Sequence, residues 1–288
     1  MTSYFSGDNE DKFQRSRVSF RCDPDISGMI VCDRGGRAEN QDAWGFAEAT
    51  DYSKVLAVAD GLGGHAGGRV ASRLAVRGAL KVCGDPLFDG SKLEWLKKMF
   101  AAADQSIRDG QIVNPELLTM RSTLILLVMR GYRLLWGHVG DVRLYLARQG
   151  RIVWQTRDQS VPQMLVDARM IKPQEIRRHP DRSRLLQALG NPKESAKPDF
   201  SGQEKLRPGD FLAMVSDGFW DWIDEDTLLK YHALQDPRGA LTQAEKLLRQ
   251  KAPLEEPEFD NYTALFLNRG KRSFSPFNVL RALREKLS

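Results

Sequence analysis

Residues 121–155 read RSTLILLVMRGYRLLWGHVGDVRLYLARQGRIVWQ. Four apolar runs rich in Leu, Ile and Val lie in this stretch, at 123–129, 133–138, 143–147 and 152–155, and each has the length and composition of a β-strand. Residues 130–132 (Arg-Gly-Tyr) and 148–150 (Arg-Gln-Gly) join them in pairs. Connections this short make antiparallel hairpins and leave no room for a crossover helix. Similar runs occur at 18–22, 30–32, 43–47, 55–59, 211–216 and 262–267. Helical spacing of apolar residues predicts helices over 69–83, where Val70, Leu74 and Val76 recur, and over 92–107, where Leu93, Leu96, Phe100 and Ala103 recur. Two further helices are predicted near 227–233 and 239–251. The simplest architecture that buries all of these is α+β: two antiparallel β-sheets packed face to face, with helices on both outer sides.

Composition sets the broad class. The chain has 288 residues, 41% hydrophobic and 28% charged, which is ordinary for a folded globular protein. No apolar stretch approaches the roughly 18–20 residues of a membrane span. The polar, acid-containing start MTSYFSGDNEDKFQRS does not read as a secretory signal. Cys22, Cys32 and Cys83 are odd in number and far apart, which suits reduced thiols in a cytoplasmic protein better than a disulfide framework or zinc site. The net charge of +5 is spread along the chain rather than gathered beside aromatics, so no nucleic-acid partner is indicated. Residues 1–16 read as a flexible tail and 17–269 as one domain. Residues 158–190, helical, charged and punctuated by Pro162, Pro173 and Pro180, read as a surface insertion. Residues 270–288 form a tail or short amphipathic helix, with Phe277, Leu280, Leu283 and Leu287 on one face.

The acids carry the chemistry. VLAVADG stops at Asp60–Gly61, LAMVSDG at Asp217–Gly218 and LLWGHVGD at Asp141, while Asp260 and Asp42 stand just ahead of other strands. A carboxylate at a buried strand end is costly without a partner, and several brought together repel. A hard divalent cation held by oxygen resolves that conflict, which points to Mg²⁺ or Mn²⁺. Asp-Gly is also a common turn dipeptide, so on the residues alone a metal site and a set of turns both stand.

RGGRAENQDAWG, VADGLGGHAGGRVAS, RSTLILLVMRGYRLLWGHVGDVRLYLARQGRI, SDGFWDWI and DNYTALFL resemble, in order, the motifs of the metal-dependent type 2C protein serine/threonine phosphatases. The resemblance spans residues 18–268, and the insertion is similar to the flap of bacterial stand-alone members. It implies hydrolysis of phosphoserine and phosphothreonine in proteins by a hydroxide bridging two Mn²⁺ or Mg²⁺ ions. Asp60 would bridge the ions, with Gly61 adding its carbonyl and Asp217 and Asp260 completing one shell. Asp141 would share a third, weaker ion with Asp217, Asp42 would act through metal-bound water, and Arg37 would receive the phosphate. The implied partners are a phosphorylated protein and a cognate Ser/Thr kinase, with the chain itself a monomer.

Four positions depart from the family pattern. Gln41 stands where many relatives carry glutamate. Leu62 replaces a histidine proposed as general acid, leaving His65 as the nearby candidate. Val142 replaces a serine, and Gln159 a histidine. None removes a principal ligand. The alternative is a pseudophosphatase, a phosphoprotein-binding module without turnover, which Gln41 keeps open. The substrate and the pathway are not written in the sequence.

Overall fold

The apolar runs read as nearly continuous because both faces of their strands are covered. The structure is a computed structural model, and it describes residues 3–5, 15–84 and 91–270, without the side chains of 3–5, 65 and 66. Its strands are β1 (Ser3–Phe5), β2 (Arg15–Asp23), β3 (Ile26–Asp33), β4 (Asp42–Glu48), β5 (Lys54–Leu62), β6 (Arg121–Ser122) and β7 (Leu124–Arg130). After these come β8 (Arg133–Val139), β9 (Arg143–Arg148), β10 (Arg151–Gln155), β11 (Asp199–Phe200), β12 (Glu204–Lys205), β13 (Phe211–Val215) and β14 (Tyr262–Arg269). The helices are α1 (His65–Lys81), α2 (Lys92–Val113), α3 (Val161–Asp167), α4 (Asp217–Trp220), α5 (Glu225–Leu234) and α6 (Pro237–Glu255).

One sheet runs β1-β4-β5-β7-β8-β11, with β6 beside β5 and β12 beside β8. The other runs β10-β9-β13-β14-β3-β2. All pairings are antiparallel. Alternation along each strand sorts side chains into three cores. Leu56, Val58, Ile125 and Leu127 meet Leu144, Leu146, Leu212 and Leu265 between the sheets. Val55, Ala57, Leu124 and Leu126 face outward onto α1 and α2, against Ala75, Ala79, Leu96 and Phe100. Tyr145, Phe211, Ala213 and Phe266 face outward on the other side, against Leu241, Ala244 and Leu248 of α6. The α-β-β-α sandwich expected from the hairpins is the fold.

Helix starts follow local chemistry. Ser91 accepts from Glu94 N at the head of α2, and Asp224 from Thr227 N at the head of α5. Asp236 caps α6, with Pro237 at its first position.

Most of the expected tail over 1–16, and the amphipathic segment after 270, lie outside the described residues. Within the former, Ser3–Phe5 pairs with β4, and Arg15 and Ser16 already belong to β2. Residues 158–190 form α3, a 3₁₀ turn at Pro173–Arg178 and irregular chain with turns, and Ser183 reaches the end of the sandwich beside Asp60. Backbone bridges Ser160–Leu185 and Ser122–Leu189 hold this segment.

The three cysteines are buried and unpaired, and burial pushes each thiol up to about 12. At pH 8 the reactive thiolate is then about one part in 10⁴. Native protein should resist iodoacetamide at pH 8, with activity unchanged, and take up three labels only once denaturant is added. Rapid labelling of the native chain, followed by mass spectrometry, would contradict this burial.

Candidate active site

Five strand ends bring the acids to one end of the sandwich. Asp42 opens β4 and lies directly across from Asp60 near the end of β5. Asp141 sits in the turn from β8 to β9, where the chain passes from one sheet to the other. Asp217 follows β13, and Asp260 precedes β14, the strand hydrogen-bonded to β13. A cleft of about 420 Å³ opens there, lined by Arg37, Gln41, Asp60, Gly61, Asp217 and Asp260, with Ser183 reaching in from the 158–190 segment.

Asp42 and Asp141 are buried, 5% and 3% exposed, and do not belong to the cleft lining. Asp42 accepts a 2.7 Å hydrogen bond from Ser216 Oγ, which in turn accepts from Thr263 N at 2.8 Å. That chain ties the two sheets together beneath the cleft. Burial raises the Asp42 carboxyl to about 7, against the pull of the Ser216 hydrogen bond. Burial likewise lifts Asp141 to about 8, with Asp158 adding to the rise and Arg143 opposing it. Asp60 and Asp217 keep one face on the cleft, yet the surrounding protein desolvates them and holds both well above the usual carboxylate range. For Asp60 the charge of Asp217 adds most after burial, and for Asp217 the charge of Asp141 does.

A tight turn is one reading of the two Asp-Gly pairs, and the structure gives a further reason for their glycines. β5 continues to Leu62, so Gly61 lies inside a strand paired with Ser122. A Cβ on Gly61 would fall 1.9 Å from the Gly68 carbonyl in the first turns of α1, and one on Gly218 1.9 Å from the Asn261 carbonyl. Close backbone approach, not a left-handed conformation, requires glycine at both.

Arg37 rides on the turn after β3. Its Nη2 lies 3.3 Å from Asp260 Oδ2, with both side chains about half exposed. Gln41 is anchored through its backbone: its N–H donates to Asn261 Oδ1 at 2.7 Å, and its carbonyl accepts from Gly61 N at 3.1 Å. His65 begins α1, and its side chain is outside the described residues.

The other departures have structural answers. Val142 is fully buried in the inter-sheet core, where a hydroxyl would need a hydrogen-bond partner to offset its burial. Gln159 braces the Asp141 turn by accepting from Gly140 N at 3.0 Å while donating to Lys197 O and Asp199 Oδ2. His138 and His232 are buried, with Nε2 on the carbonyls of Arg157 and Gly209.

Two supporting residues went unread in the sequence. Asn261, 4% exposed, accepts from Gln41 N and donates to the carbonyls of Arg34 and Glu39, each at 2.8 Å. It locks the loop that carries Arg37 and Gln41 to the strand that follows Asp260. Thr123 Oγ1 accepts from Asp60 N at 2.9 Å. Neither residue type signals function by itself, and only the fold brings them under the acids.

Among the described residues, no three His, Cys, Asp or Glu side chains already close on one point as a finished metal cage. The donor set nevertheless fits a hard divalent ion. All donors are oxygen, four carboxylates crowd Asp60, and Arg37 on Asp260 is the one ion pair found on the five acids among the described residues.

The family model described as protein phosphatase 2C matches residues 34–250. The serine/threonine protein phosphatase PstP of Mycobacterium tuberculosis is 37% identical over 209 residues, 72% of this chain and 38% of that protein. The chain thus spans well under half the length of that relative. The crystal structure of the M. tuberculosis phosphatase PstP/Ppp superposes with a TM-score of 0.72 at 30% identity, covering 85% of this chain and 99% of that one. A catalytic domain of PstP in complex with two manganese ions matches with a TM-score of 0.67 at 28% identity, over 84% and 97% of the two chains. With the family motifs in order along the chain and its acids gathered at one cleft, this protein belongs to the protein phosphatase 2C family.

Proposed function

We propose that the chain hydrolyses phosphoserine and phosphothreonine in proteins, using Mn²⁺ or Mg²⁺, and so reverses the work of a Ser/Thr kinase. The observation that carries this reading is the meeting of Asp60, Asp217 and Asp260 with Arg37 around one open cleft. Two divalent ions, when bound among these acids, would lower the pKa of a water enough to make hydroxide available near neutral pH and would supply positive charge for the phosphoryl oxygens. Asp60, Asp217 and Asp260 would hold them, with Gly61 offering its carbonyl and Asp141 joining Asp217 for a third ion. Asp42 stays fixed by Ser216 beneath the cleft and orients water behind Asp60. Arg37 presents paired N–H donors to two phosphate oxygens, which its planar guanidinium matches better than an ammonium would. The open mouth, with Ser183 at its edge, admits a side chain on a polypeptide. We further propose that the chain acts as a monomer in the cytoplasm, a setting that its three unpaired cysteines suit. Among the described residues no helix is long and apolar enough to cross a membrane.

The test is phosphate release from matched phosphoserine, phosphothreonine and phosphotyrosine peptides with Mn²⁺ and with EDTA. The reading predicts Mn²⁺-dependent release from the first two, at least about tenfold faster than from phosphotyrosine. Gln41, one negative charge short of the family pattern, favours a second reading, a phosphoprotein-binding module. Peptide binding without release under any metal would establish that reading and remove the first.

A further inference from the structure

We propose that Asp33 is a positioning residue for Arg37: it fixes the turn from which the guanidinium reaches the cleft. The inference rests on the reading of Arg37 as the phosphate-binding residue. Asp33 ends β3 and is 3% exposed. Its Oδ1 accepts from Gly35 N at 2.9 Å, an Asx turn that bends the chain toward Arg37. Its Oδ2 accepts from Arg249 Nη2 of α6 at 2.6 Å and lies 3.2 Å from Arg15 Nε of β2. A second buried acid, Glu245 of α6, takes Arg15 Nη2 at 2.7 Å and the Tyr262 hydroxyl at 3.0 Å. Asp33 therefore joins an ion cluster, whose acids are buried and whose arginines reach solvent, to one backbone N–H of an exposed loop. A carboxylate serving only to staple β2 to α6 would have no need of that last bond.

The turn leaves little room for error. Gly35 has φ +63°, and a Cβ there would fall 2.2 Å from the Asp260 carbonyl. One on Gly36 would fall 2.4 Å from the Pro257 carbonyl. Three pins hold the turn: Gly35 N on Asp33 from within, and, against residues 257–261, Gly36 N on Phe259 O at 2.9 Å and Arg34 O under Asn261 Nδ2. Arg37 N then donates to Arg34 O at 3.2 Å and closes it. Two of these pins adjoin Asp260 itself. Asp33 is the one that can be changed without touching an acid of the cleft.

Arg37 is about half exposed and its guanidinium meets the equally exposed Asp260 at 3.3 Å, so the place of its Cα governs whether the fork also meets the phosphate. A displacement of about 1 Å in such a group costs up to 10²-fold. The experiment measures KM and kcat for p-nitrophenyl phosphate with saturating Mn²⁺, on the full chain, below the melting temperature of each variant. Asp33→Glu keeps the charge for Arg15 and Arg249 but overreaches the Gly35 N–H. Asp33→Asn loses the charge but keeps the acceptor. The proposal predicts that Asp33→Glu and Asp33→Ala raise KM about tenfold, with kcat and the Mn²⁺ half-saturation within twofold of wild type. Asp33→Asn keeps a near-normal KM even where it melts earlier. Arg37→Ala raises KM as much, and Asp33→Glu adds nothing in its background.

An additive double variant, a normal KM in Asp33→Glu, or an equal rise in Asp33→Asn would overturn the positioning role alone. An unchanged KM in Arg37→Ala would overturn the phosphate role of Arg37 and this inference with it.

Discussion

Asp60→Asn should lower phosphatase turnover by about 10³-fold and, in the same protein, raise the melting temperature measured in EDTA. The loss follows from the place of Asp60 at the centre of the acids proposed to hold the ions, where removing one electrostatic group from a reacting centre costs about 10²–10³. The gain follows from crowding. Asp60 is desolvated and faces the charges of Asp217, Asp42, Asp260 and Asp141, so without a cation its ionised form works against folding. Replacing it by a neutral amide of the same shape should stabilise the metal-free fold by about 1–2 kcal/mol, or roughly 3–6 °C for a domain of this size. Mn²⁺ should then raise the melting temperature of wild type more than that of the variant, since only a ligand bound by the native state shifts it. A variant less stable than wild type in EDTA would mean that protein groups, not a metal, balance these charges.

Asp158→Ala should be the most destabilising single change at the base of the 158–190 segment, by about 3–5 kcal/mol. Asp158 accepts from Arg143 Nε at 2.8 Å and Nη2 at 2.6 Å, with both side chains under 5% exposed. Arg143 also lies 3.6 Å over the Trp220 ring and donates to the Tyr145 hydroxyl, while Arg177 from the segment meets Glu225 at 2.7 Å. Without Asp158 the buried guanidinium keeps, among the described residues, one ion pair within 4 Å, to the partly exposed Glu225 at 3.8 Å. The melting temperature should fall by about 10 °C. The double change Arg143→Met with Asp158→Leu should recover most of that loss, because it removes the stranded charge as well. A fall of less than 2 °C in Asp158→Ala would show that water already reaches the pair.

The strands could be read in the sequence because burial on both faces made them unbroken apolar runs. Residues 124–130 and 133–139 needed only the Arg-Gly-Tyr turn between them to be placed as a hairpin. Their ends could not be read, because charged terminal residues find partners far away. Arg15 and Arg17 lengthen β2 by pairing with Glu245, more than 220 residues later. The two-residue strands β6, β11 and β12 carry no periodicity of their own and exist only where a neighbouring strand offers backbone partners. At the site, the acids were visible because each interrupts or precedes an apolar run. That Asp42 and Asp141 would lie behind the cleft lining was not visible, since depth at a strand end depends on how the sheets stack. Asn261, Thr123, Ser216 and Asp33 escaped notice because their work is to satisfy backbone N–H and C=O groups, which any polar residue can do in the right place.

The decisive assay is p-nitrophenol release from p-nitrophenyl phosphate by wild type and Asp217→Asn, each with Mn²⁺, with Mg²⁺ and with EDTA. If Asp60, Asp217 and Asp260 form a metal-dependent phosphatase centre, wild type turns over with Mn²⁺ or Mg²⁺ and stops in EDTA. Asp217→Asn, folded by circular dichroism, then loses at least about 10²-fold under every condition. Turnover that persists in EDTA, or a fully active Asp217→Asn, would contradict that centre.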